Sequence, residues 1–165
     1  MSKVTTEVAD FTKLHKFLHS ESVLTLATSD ACGPWSAPVL YVADTTAEPF
    51  ALYFLSSDNS RHIKSIPANG RSAVSIYSDY TGDWQSIRGA QIYSTISKVA
   101  DKNTVADLYF ARFPEVRALI DNPSTEQERL IGSAFAKSNF YRVTPSFVHF
   151  TNNGDNFAGS TEWQL

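Results

Sequence analysis

Ser22-Val23-Leu24-Thr25-Leu26-Ala27-Thr28-Ser29 is followed by Asp30-Ala31-Cys32-Gly33-Pro34 and then by Trp35-Ser36-Ala37-Pro38-Val39-Leu40-Tyr41-Val42. In the first run Val23, Thr25 and Ala27 share one side, and Leu24, Leu26 and Thr28 share the other. That two-residue period belongs to a strand. The Asp/Gly/Pro stretch reads as a turn, so 22–29 and 35–42 form a hairpin. Outward from it, further strand-like runs occupy 50–55, 71–78, 84–99, 139–143 and 147–151. Turn-rich stretches at 44–49, Asn69-Gly70, 79–83, Thr144-Pro145-Ser146 and 152–156 separate them. Gly89 interrupts the 84–99 run and marks either a bulge or a close approach by another group; a closed barrel needs such bends to turn its corners. Successive short strands joined by turns predict an antiparallel barrel or sandwich, not a parallel sheet.

Helical spacing occurs in fewer places. Val8, Phe11, Leu14 and Leu18 predict a helix over 7–19. Val105, Leu108, Tyr109 and Phe113 predict another from Asn103. Pro114 starts a second piece, 115–120, which Asn122-Pro123-Ser124 ends. Residues 125–136 are helix or loop. The tail, 157–165, carries Phe157 and Trp163 and is expected to dock on the body.

With 165 residues the chain suits one domain, 1–165, with a real core. Its net charge of −3 gives no global basic field, so neither nucleic acid nor an acidic membrane is an expected partner. No apolar run approaches a membrane span, and Met1 to Asp10 has no apolar signal core. The one cysteine, Cys32, allows no internal disulfide, which favours a reducing, cytoplasmic compartment. His15 and His19 stand at i, i+4 but lack both the intervening Glu and a third ligand, so no metal site is expected. There is no G-x-S-x-G elbow, no P-loop and no dinucleotide fingerprint. Asp58, Ser60 and His62 are close in sequence, but that spacing does not make a triad.

The chemistry concentrates after the 50–55 run. Ser56-Ser57-Asp58-Asn59 is a polar turn, and Ser60-Arg61-His62, with Lys64, opens a short helix over 61–66 that Pro67 stops. Ser60 is a good N-cap. Free N–H groups at a helix start, with a hydroxyl, a guanidinium, an imidazole and an ammonium, suit a phosphate. A capped surface helix with solvated charges is the plain alternative. Pro38 cannot donate to a ladder, so it marks an edge or a place where backbone faces a ligand.

The order of these elements resembles the FMN-binding split barrels related to pyridoxamine 5′-phosphate oxidase, over roughly 18–99. The resemblance implies a six-stranded antiparallel split β-barrel of Greek-key type, mainly β with flanking helices. It also implies a homodimer with FMN at the interface. By that likeness Ser60, Arg61 and His62 bind the phosphate, with Ser56 and Ser57 supporting them and Lys64 close by. Ser36, Pro38, Val39 and Leu40 meet the ring. Trp84 and Gln85 match a position that reaches FMN from the other subunit, and Trp84 or Trp163 covers a ring edge. Arg112-Phe113-Pro114, Phe150-Thr151-x-Asn153 and Trp163 are similar to a smaller YhbP-like branch, whose tail is usually more basic than Ala158-Gly159-Ser160-Thr161-Glu162.

The chain also departs from the true oxidase. It lacks that enzyme's Arg and Lys on the strand over 35–41, has His62 where Lys is usual, and has no match for the substrate-binding arm. The implied function is an FMN-dependent oxidoreductase acting on a small molecule other than pyridoxamine phosphate. Two alternatives stand beside it: a haem-binding module using His149 or His62, and a cofactor-free barrel that binds a partner.

Overall fold

The computed structural model describes residues 10–155 and 159–165. Residues 7–9 of the predicted first helix, and Phe157, lie outside them. The order is α1 (Thr12–Ser20), β1 (Val23–Asp30), β2 (Gly33–Asp44), β3 (Ala51–Ser56), α2 (Arg61–Lys64), β4 (Arg71–Tyr77), a single 3-10 turn (Trp84–Ser86) and β5 (Arg88–Lys98). Then come α3 (Asn103–Arg112), α4 (Pro114–Asp121), α5 (Glu126–Lys137), β6 (Asn139–Asn152) and β7 (Ser160–Gln164).

The strands lie in the order β3-β2-β1-β4-β5-β6-β7, and β3 also pairs with β6. That last pairing closes six antiparallel strands into a barrel, and β7 is an added edge. The run β4-β1-β2-β3 is a Greek key. Its long return, from β3 to β4, crosses one end of the barrel and carries α2. At the opposite end α1 lies over the opening and buries Leu14, Phe17 and Leu18. Tyr41 Oη ties α1 down by donating to Leu18 O at 2.6 Å.

Alternation fills the barrel. Leu24, Leu26, Leu52, Phe54, Val74, Ile76, Ile92, Val143 and Val148 point inward and are buried. A second cluster lies outside the barrel. There α3 and α4 set Val105, Tyr109, Phe113 and Val116 against Val42, Ala51, Tyr53 and Phe140. Tyr109 packs its ring on Phe113 (4.9 Å) and Phe140 (5.2 Å). This is why β3 is apolar on both faces. The outer face of β1, β4 and β5 has no helix over it among the described residues. There Tyr77 and Tyr93 are 65% and 64% exposed.

Several expectations change. Residues 139–143 and 147–151 are one strand, β6, which runs through Pro145. On one side β6 pairs with β3 up to Val143 and with β7 from Phe147. Pro145 falls at that handover, where no ladder requires its N–H. The bulge sits there too. The β5–β6 register shifts between Tyr93 and Ser94, leaving Ser146 unpaired, while Gly89 stays in register with Tyr77 and Thr151. Residues 125–136 resolve as helix, started by a capping box between Thr125 and Glu128. The helix expected over 61–66 shortens to α2. Residues 84–86 are a 3-10 turn before the strand.

Candidate functional site

Pairing within β2 creates an opening. Gly33 to Leu40 pair with β1, whereas β3 accompanies β2 only from Tyr41 to Asp44. Tyr41 N donates to Ser22 O, so antiparallel alternation turns the backbone of Ser36 and Pro38 away from β1. Pro38 therefore sits where a missing N–H costs no ladder bond. Ser36, Pro38 and Leu40 share the outer face. Leu40 packs toward the helices and Val39 toward the barrel core, and Val39, like Tyr41, turns its backbone toward β1, so Val39 offers a ligand neither backbone nor side chain.

The α2 turn lies at this open end. Ser56, the last residue of β3, is 8% exposed. Its Oγ lies 3.0 Å from Ser60 Oγ and 2.8 Å from His62 Nε2, and Ser60 Oγ lies 3.2 Å from the same nitrogen. Ser60 Oγ also donates to Ser57 O at 2.7 Å. The protons can be placed by counting. Ser60 gives its hydrogen to Ser57 O, Ser56 gives its hydrogen to Ser60, and His62 donates from Nε2. Ser60 has the extended backbone of an N-cap, but its hydroxyl makes no capping bond to the helix. It belongs to the Ser56–His62 triangle instead. Ser57 shapes the turn, its Oγ accepting from Asn59 N at 3.2 Å.

Arg61 is exposed, and its guanidinium lies over the Trp35 ring, 3.9 Å from the centroid. Lys64 is exposed on the same turn. Asp58 does not complete a triad. Its Oδ1 accepts from Tyr141 Oη (2.5 Å) and Asn139 Nδ2 (2.7 Å), and its Oδ2 pairs with Lys98 (2.6 Å). Those donors hold its carboxyl well below the usual range. The effect is to pin the 57–60 turn to the ends of β5 and β6.

Burial lowers the His62 imidazole below its ordinary value, so it is neutral near pH 7. A dianionic phosphate bound there favours the protonated ring. Affinity for a phosphomonoester is therefore expected to rise as pH falls from about 8 toward about 6, where the phosphate itself takes up a proton. Stability without ligand moves the other way. A depressed histidine contributes stability above its unfolded value, and that contribution is lost as pH falls through the folded value. Phosphate or FMN titrations across that range, on the wild type and on His62→Gln, check this. An equal pH slope in both proteins would remove His62 from the site.

The remaining predicted residues lie elsewhere. Trp84 and Gln85 precede β5, whose far end meets Asp58 through Lys98. The 11-residue strand β5, roughly 33 Å long, separates them from α2. Gln85 N donates to Asp83 Oδ1 (3.0 Å), and Trp84 O accepts from Asn153 Nδ2 (3.2 Å). Trp163, on β7, packs on Phe11 with ring centroids 5.3 Å apart. The structure thus joins Ser56, Ser60, Arg61 and His62 at one barrel end and leaves Trp84, Gln85 and Trp163 away from it.

His149 sits on the outer face. It lines a cavity of about 340 Å³ with Thr25, Ser36, Ser75, Tyr93 and Phe147. Its Nδ1 is 2.9 Å from Glu162 Oε1 on β7, and the pair orients the ring. Sequence reasoning missed Trp35 and Glu162 as site residues, because each acts across a strand pairing or crossover that no local motif announces. His15 stacks on Phe11 (5.7 Å) and meets the Phe50 edge (5.8 Å), while His19 Nε2 bonds Thr45 Oγ1 (3.0 Å).

No protein-family model and no curated protein matches the chain. Solved structures do. A haem-binding protein from Mycobacterium smegmatis superposes with TM-score 0.66 at 15% identity, covering 95% of this chain and 60% of that one. An FAD-binding protein from Mesorhizobium loti gives 0.59 at 17%, covering 85% and 92%. A Listeria innocua protein provisionally assigned as a pyridoxamine 5′-phosphate oxidase gives 0.62 at 14%, covering 85% and 96%. The chain spans less than two thirds of the mycobacterial protein. At these identities the likeness is one of fold: the chain shares the split-barrel fold of these proteins. The YhbP-like branch is not singled out. No helix among the described residues is long and apolar enough to cross a membrane.

Proposed function

We propose that this chain is an FMN-binding oxidoreductase, distinct from the true pyridoxamine phosphate oxidase and acting on a small molecule. One observation carries the reading: the Arg61 guanidinium, with Lys64 on the same turn, stands beside the Ser56–Ser60–His62 triangle at the part of β2 that β3 leaves uncovered. The two cations fit a phosphate, and Ser60 and His62 would join them by exchanging their bonds to Ser57 O and Ser56 for bonds to the anion. A bound flavin would supply the redox chemistry, while the chain supplies position and electrostatics. Arg61 would hold the phosphate by charge-assisted bonds, and Ser36 and Pro38 would present backbone to the ring.

The working unit of this reading is a homodimer. Trp84 and Gln85 lie at the far end of the barrel from Ser60, so one flavin meeting both sets must lie between two copies. The bare outer face with Tyr77 and Tyr93 gives a second copy something apolar to cover.

A second reading is a haem module. His149 favours it, because its Nδ1 faces Glu162 and leaves Nε2 as a potential iron ligand beside a largely apolar cavity. An absorbance spectrum of the purified protein, followed by FMN and haem titrations, separates the two. A flavin spectrum and saturable FMN binding are expected. A Soret band lost in His149→Ala would instead select haem, and colourless protein that ignores both would point to a cofactor-free barrel.

A further inference from the structure

We propose that Trp35 is a positioning residue, holding Arg61 in the orientation from which it grips a phosphate; the proposal rests on the FMN reading above. The contact joins two elements distant in sequence. Trp35 lies near the start of β2, paired with the buried Thr28 of β1. Arg61 is the first residue of α2. A guanidinium flat on an indole keeps its face covered, while its in-plane N–H groups project past the ring edge. An exposed arginine otherwise samples many rotamers, and a ligand that fixes it must offset that entropy. The stack removes part of the cost before the ligand arrives.

The neighbouring carboxylate does not capture Arg61. Asp30 attracts it through space, but its oxygens accept from Ser65 Oγ (2.5 Å) and Cys32 N (2.8 Å), and no ion pair joins Asp30 to Arg61. Asp30 is thus a tethered counter-charge on the hairpin that also carries Trp35. The guanidinium is steadied by the ring and keeps its N–H edge for an incoming anion.

The test uses the full chain and FMN as the probe, with dissociation constants measured by flavin fluorescence for wild type, Trp35→Leu, Trp35→Phe, Arg61→Ala and Trp35→Leu/Arg61→Ala. Trp35→Leu keeps apolar cover but removes the π face. It is expected to weaken FMN about three- to tenfold, while Trp35→Phe stays within about twofold of wild type. In the Arg61→Ala background Trp35→Leu should add nothing. An independent NMR readout without ligand is the ring-current shift of the Arg61 side-chain protons, present in wild type and lost in Trp35→Leu. No such shift in wild type would overturn the stack itself. Equal weakening by Trp35→Leu with and without Arg61 would also overturn positioning, since Trp35 would then act by another route. Wild-type affinity in Trp35→Leu beside weakened Arg61→Ala would sink the proposal and leave the phosphate reading standing. Wild-type affinity in Arg61→Ala would instead sink the phosphate reading, and that failure shows in a different arm.

Discussion

Arg61→Ala is expected to weaken FMN binding by about 10- to 100-fold, the range for a hydrogen bond to a charged group removed from a bound anion. The other cations cannot replace it. His62 is held neutral near pH 7 by burial, and Lys64 is an exposed point charge without the planar fork of a guanidinium. Asp30 reduces the net field at the turn, so direct contact outweighs general attraction there. The loss should shrink in high salt, because Arg61 is exposed and screening acts within about 10 Å at 0.1 M. The fold should be little affected, since the substitution removes one surface stack worth about 0.5–1 kcal/mol. Flavin titration together with a melting curve decides the matter. Unchanged affinity in a folded variant would take Arg61, and with it the phosphate assignment, out of the site.

What was readable in advance divides by distance along the chain. The β1–β2 hairpin follows from alternation on either side of the Asp30–Pro34 turn, so local chemistry suffices, although pairing of Asp30 with Gly33 tightens that turn to Ala31 and Cys32. Ser60-Arg61-His62 was readable for the same reason. The Greek-key order was not written locally, because β4 finds β1 only after the crossover that holds α2. Pro145 read as a break, since the sequence does not disclose that β6 changes neighbours there. Ser160–Gln164 is polar, and its strand state comes from pairing with β6 rather than from its own pattern. Among site residues, Trp35 depends on meeting α2 and Glu162 on the β6–β7 register. The same reasoning limits what Ser60 could reveal. Its type promised a helix cap, but Ser56 and His62 compete for its hydroxyl.

Gly132→Ala sets two rules against each other and is expected to destabilise the protein by about 2 kcal/mol or more. Propensity alone favours alanine in the middle of α5 by about 1 kcal/mol. Packing opposes it. Gly132 is buried against α4, where an added Cβ would fall on the Leu119 carbonyl oxygen, 2.7 Å from its carbon and 3.2 Å from Ile120 N. These are backbone atoms, so no side chain can swing aside and the helices must separate. Overpacking costs about 1–3 kcal/mol even where side chains can adjust, and here the more rigid partner raises it. The clash should therefore win, lowering Tm by roughly 4–8 °C for a chain of this size. Gly89→Ala is the control. Its added Cβ would lie 3.4 Å from Ile76 O and 3.9 Å from Tyr77 Cβ, within ordinary contact, and its Tm should move little. FMN affinity should stay at the wild-type value in folded Gly132→Ala, because the clash falls on Leu119 and Ile120 of α4 and touches no residue of the α2 turn. A Tm at or above wild type would mean that α4 and α5 do not meet this closely in solution.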